Sequence, residues 1–118
     1  MELRQFVNRQ ELAEIVVAAA ERLRSIAAHR SIDIARGRVD QISIIGDRAR
    51  LIGAVGNLLK QAIVHSDPGT TIACDLIERE RYALIRVIDP GSNRGANRGA
   101  VFELHVPLPV SEEIPEAS

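Results

Sequence analysis

The sequence predicts a two-layer α/β sandwich, with a mixed, mostly antiparallel sheet and helices packed on one face. Three observations predict it. Two long stretches repeat apolar residues at three- and four-residue spacing, as amphipathic helices do. Several shorter stretches alternate apolar and polar residues or are mostly apolar, as strands are. Short turn signals separate consecutive strand segments, so the order is strand, helix, two strands, helix, three strands.

Residues 2–8 supply a short first strand through Leu3, Phe6 and Val7. Residues 9–29 read as a helix whose apolar stripe is Leu12, Ile15, Val16, Ala19, Leu23, Ile26 and Ala27. Residues 31–36 alternate as a half-buried strand should, and Gly37 breaks the pattern. Residues 40–45 form the next strand, ending at Gly46.

Asp47 is placed to cap a helix running to His65, because its carboxylate can accept the free amides of the first turn. The stripe of this helix is Leu51, Val55, Leu58, Leu59 and Ala62. Ser66-Asp67-Pro68-Gly69 is a stop and turn signal. Residues 70–78 and 82–88 are strands joined by Arg79-Glu80-Arg81. Residues 89–99 read as a loop, and Val101, Phe102, Leu104 and Val106 mark a last strand closed by Pro107 and Pro109. Residues 1–109 make one domain, and the acidic residues 110–118 read as a flexible tail.

Composition narrows the function. The hydrophobic fraction is 46% in a chain of 118 residues, enough for one packed core. Net charge is −1 and aromatics are 3%, so neither the basic patch nor the stacking rings of a nucleic-acid binder stand out. Cys74 is the single cysteine, which excludes an internal disulfide and a thiolate zinc site and fits a reducing cytoplasm. The polar N-terminus predicts no signal peptide, and no apolar run approaches the roughly 20 residues of a membrane span.

Two segments can carry chemistry. Asn57 and Gln61 are four apart on the second helix, on the side turned from its apolar stripe, and His65 continues the line. Stacked side-chain amides can offer carbonyl oxygens to a hard cation or donate to phosphates, and the same spacing also suits ordinary surface amides. Asp89-Pro90-Gly91 follows an apolar strand. A carboxylate there can accept a bond from a ligand amino group while glycine lets the backbone come close, although Asp-Pro-Gly is also common turn chemistry.

Taken together, these segments resemble a known family. Asp47-Arg48-Ala49-Arg50-Leu51 followed by Asn57-Leu58-Leu59-Lys60-Gln61-Ala62-Ile63-Val64-His65-Ser66 resembles the N box of sensor histidine kinases. Asp89-Pro90-Gly91 after Arg86-Val87-Ile88 resembles their G1 box, and residues 98–109 resemble the closing strand of the same ATP-binding domain. The resemblance implies the Bergerat fold of the GHKL ATPases. It puts Asn57 on the phosphate side, Asn57 and Gln61 at the magnesium, Asp89 at the adenine amino group and Gly91 beside the base.

The chain also departs from that pattern. Gln61 stands where the family usually has a second asparagine, and its extra methylene misplaces a ligand for an ion that demands a tight octahedral shell. Only Pro90 to Ala100 stand where the family places its ATP lid, F box, glycine-rich G2 box, a helix and a strand. Glycines 95 and 99 are too few and too far apart for a G2 loop. His29, His65 and His105 lack the neighbours of a phospho-accepting histidine. The resemblance therefore implies a shortened domain in two-component signalling without kinase activity of its own. Its expected partners are a histidine kinase, a response regulator or a second copy. The alternative is a domain that still takes magnesium-ATP or ADP weakly.

Overall fold

The computed structural model describes residues 7–91 and 98–109. The start of the expected first strand, Gly95 and the acidic tail at 110–118 lie outside the described residues.

The elements follow the predicted order: β1 (Val7–Glu11), α1 (Leu12–His29), β2 (Asp33–Val39), β3 (Ser43–Asp47), α2 (Arg48–His65), β4 (Thr71–Glu78), β5 (Tyr82–Asp89) and β6 (Ala100–Pro107). The main sheet has the order β2-β4-β5-β6. β2 runs parallel to β4, and the other two pairings are antiparallel. The two helices pack on one face of it, so the predicted α/β sandwich is the observed one.

β2 and β3 are consecutive but do not pair. β3 pairs with β1 in a separate two-stranded ribbon. That ribbon corrects the start of the first helix, expected at residue 9. Residues 9–11 are ladder partners of Ser43, Ile44 and Ile45, and the helix begins at Leu12, whose amide donates to the Ile42 carbonyl at 2.9 Å.

Gly37 does not end β2, contrary to the expectation from its pattern. The strand continues to Val39 through a register shift between Arg36 and Val39. Within the irregularity the Arg38 amide donates 3.0 Å to the Asp75 carboxylate, so the bulge keeps its hydrogen bonding through a side chain. Asp75 also takes both ends of the Arg86 guanidinium, at 2.9 and 3.2 Å. A Cβ at Gly37 would overlap Asp75 Oδ1, so glycine is what lets this carboxylate come so close.

The core lies between the helices and the inner rows of the sheet. Ile72, Cys74 and Leu76 from β4 meet Ala83, Ile85 and Val87 from β5 there. The predicted stripes are buried apart from Ile26, which is 46% exposed, and Leu51, which is partly buried against that core. Ala20, Ile52 and Ile63 join the core, since each helix buries a wider arc than a narrow stripe.

Candidate functional site

α2 fixes the geometry of the site. Asp47 is extended, and its Oδ1 accepts from the amides of Ala49 and Arg50 at 3.0 and 3.3 Å. This sets where the helix starts, and with it the rotational phase of every later residue. Ile52, Val55, Leu58, Leu59, Ala62 and Ile63 then face the core, while Asn57, Lys60, Gln61 and Val64 face solvent. The helix ends at His65. Ser66 returns its amide and its hydroxyl to the Ala62 carbonyl, at 3.0 and 2.8 Å.

Asn57 and Gln61 line one open groove of about 530 Å³ together with Lys60, Val64 and Phe102 of β6. The groove unites the two predicted amides with the one lysine of the chain. Two amides and an ammonium can donate to an anionic oxygen.

Asp89 and Gly91 are not in the lining of that groove. Asp89 ends β5 on the core-facing row and is 2% exposed. A buried carboxylate is costly without partners. Its Oδ2 lies 2.9 Å from His65 Nδ1, and its Oδ1 accepts from the Gly91 amide at 2.9 Å. His65 is in turn set edge-on against Phe102, with ring centroids 5.6 Å apart. Phe102 thus lines the groove and touches His65, which in turn holds the carboxylate.

Gly91 has a φ of +89°, a conformation that L side chains rarely adopt. The space of its missing Cβ is occupied, with the Arg98 carbonyl carbon at 2.8 Å and the Gly99 nitrogen at 2.9 Å. Gly99 has a φ of +93°, and a Cβ there would meet the Asp89 carbonyl at 2.6 Å. The chain therefore touches itself where it leaves β5 and where it returns toward β6, through two glycines.

The described residues hold no group of three or more His, Cys, Asp and Glu able to bind a metal. Asn57 and Gln61 bring no carboxylate with them, so they would hold magnesium only together with the phosphates of a bound nucleotide. Sequence reasoning found the polar line but not the Asp89–His65 pair, nor the Asp75–Arg86–Gly37 cluster. No spacing rule joins residues 24 or 38 positions apart; the polar alignment of His65 with Asn57 and Gln61 was the one available signal.

No family model matches the chain, and no curated protein matches it significantly. Solved structures do. The chain is similar to the mycobacterial sensor histidine kinase MprB, with a TM-score of 0.70 and 17% identity over 86% of this chain and 97% of that one. It is similar to a histidine kinase from Burkholderia phymatum STM815, with a TM-score of 0.64 and 24% identity over 70% of this chain and 39% of that one. It is also similar to histidine kinase ThkA in complex with the response regulator TrrA, with a TM-score of 0.71 and 14% identity over 91% of this chain and 43% of ThkA. At these identities the likeness establishes the fold: that of the catalytic domains of sensor histidine kinases.

Proposed function

We propose that this chain is a non-catalytic relative of the histidine kinase ATP-binding domain, acting in two-component signalling by binding proteins. One observation carries the reading. The two groups that the resemblance assigns to adenine are engaged with the chain itself. Asp89 is held by His65 and the Gly91 amide, and Gly91 is packed against Arg98 and Gly99. A base would have to share Asp89 with His65 and the Gly91 amide, and to pass the Arg98–Gly99 backbone packed on Gly91. Phosphoryl transfer further needs clamped phosphates and a positioned metal, and Gln61 and the short 90–100 segment supply neither.

The partner is a histidine kinase, a response regulator or a second copy. ThkA, which shares the fold, was solved with a response regulator. The setting is the cytoplasm, and no helix among the described residues is long and apolar enough to cross a membrane.

The groove lined by Asn57, Lys60 and Gln61 supports a second reading, a weak site for magnesium-ATP or ADP. Calorimetric titration with magnesium-ATP, with and without the metal, separates the two. The first reading expects no saturable binding and no autophosphorylation. Saturable binding that Asp89→Asn abolishes would overturn it in favour of the second.

A further inference from the structure

The sheet has two edges, and they differ. β2 is interrupted by a register shift between Arg36 and Val39, and such a bulge blunts an edge. β6 pairs with β5 at every residue from Ala100 to Pro107 without a register shift, and no described strand covers its other side.

The hydrogen-bond phase of that edge follows from one contact. The Leu108 amide donates to the Arg81 carbonyl at 2.9 Å, in register with the β5–β6 ladder. Bonded and non-bonded pairs alternate in an antiparallel ladder. Ala100, Phe102, Leu104 and Val106 therefore point their amides at β5, while Val101, Glu103 and His105 point theirs outward. Pro107, which has no amide to give, falls in the outward set.

We propose that β6 pairs antiparallel with β6 of a second copy about a two-fold axis at Leu104. The proposal deepens the self-association branch of the reading above and rests on it. In this register Leu104 faces Leu104, and Phe102 faces Val106 on the helix side. Glu103 faces His105 of the second copy on the outer side. Opposite residues thus match apolar with apolar and acid with imidazole, and such pairs are the unit of sheet stabilisation. Moving the axis to Glu103 sets Glu103 against Glu103. A slip of one residue puts the apolar row opposite the polar one.

The test is the mass in solution by sedimentation equilibrium over a range of concentrations. The wild-type chain is expected at twice its 12.9 kDa. Glu103→Pro removes an outward amide and the exposed carboxylate that lies 3.3 Å from His105 Nε2 in the same chain, neither of which the β5 ladder uses, so it should keep the monomer's circular dichroism and halve the mass. His105→Glu should also dissociate the pair, by opposing Glu103 of the second copy as well as the Glu103 that His105 contacts at 3.3 Å in its own chain, while His105→Lys should keep it; both remove the stacking of His105 on Tyr82. A wild-type chain at monomer mass throughout would overturn the proposal. So would a dimer indifferent to Glu103→Pro, which would place the contact elsewhere. Binding of a response regulator or kinase by a strict monomer would sink this interface while leaving the protein-binding reading in place.

Discussion

His65 Nδ1 and Asp89 Oδ2 are 2.9 Å apart, which ties the last residue of α2 to the last residue of β5. The carboxylate side chain is fully buried and the imidazole is 41% exposed. The contact therefore matters more to Asp89 than to His65, because only Asp89 has been taken out of water. His65→Ala should lower unfolding free energy by about 1–2 kcal/mol in urea titrations, the scale of a hydrogen bond to a charged group reduced for exposure. An unchanged midpoint would mean that water replaces the imidazole at no cost.

Gly91→Ala meets two penalties at once. The residue sits at φ +89°, and the Arg98–Gly99 backbone fills the Cβ position. Backbone cannot swing aside as a flexible side chain can. A loss of about 2–4 kcal/mol is expected, in the range of mutations that combine overpacking with conformational strain. Gly69→Ala is the control. It shares a positive φ of 90° but has open space around the new methyl, so its loss should be smaller.

Gly37→Ala tests the Asp75 cluster. The new methyl pushes Asp75 off the Arg38 amide and the Arg86 guanidinium. A mostly buried carboxylate would then lose its partners, and a fall of about 2–4 kcal/mol in stability is expected. Amide exchange at Arg38 should accelerate with it. A stable variant with Arg38 still protected would show that the bulge relaxes around the methyl.

Ser31 is the one non-glycine residue at positive φ among those described, at 59°, in the link from α1 to β2. Its carbonyl accepts from the Gly69 amide at 2.7 Å, which holds it there. Ser31→Gly removes the Cβ penalty but enlarges the unfolded ensemble. A net gain of up to about 1 kcal/mol in thermal or urea unfolding is expected, and a loss would mean that the serine side chain supports the turn.

Cys74 is 3% exposed, and burial, with a smaller contribution from Asp75, pushes its thiol up to about 11. The thiolate is the reactive form. The folded protein should resist thiol reagents near pH 8 and react at full stoichiometry in denaturant. Rapid labelling of the native chain would show that β4 opens to solvent.

Periodicity alone was enough to find both helices and the order of elements along the chain, because amphipathic spacing encodes which side of each element meets the core. It also placed Asn57, Gln61 and His65 on one exposed line, since 100° per residue is a local property of a helix. The ends of elements were less legible. Residues 9–11 read as the polar start of the helix, yet the partner strand at 43–45 claimed them, and Gly37 read as a breaker until Asp75 satisfied the bulge. In both cases a group distant in sequence supplied the hydrogen bond that local pattern could not show.

The same division holds for function. The sequence by itself determined the order of the segments that carry the resemblance, the glutamine at position 61 and the eleven residues between Asp89 and Val101. Only the tertiary structure decided what Asp89 and Gly91 touch. A buried carboxylate must find partners wherever the fold brings them, and it found His65 from 24 residues away and the amide of Gly91. The glycine that sequence reasoning kept for a ligand is packed against the chain's own backbone, because Arg98 and Gly99 return beside Asp89 and Gly91 on the way into β6.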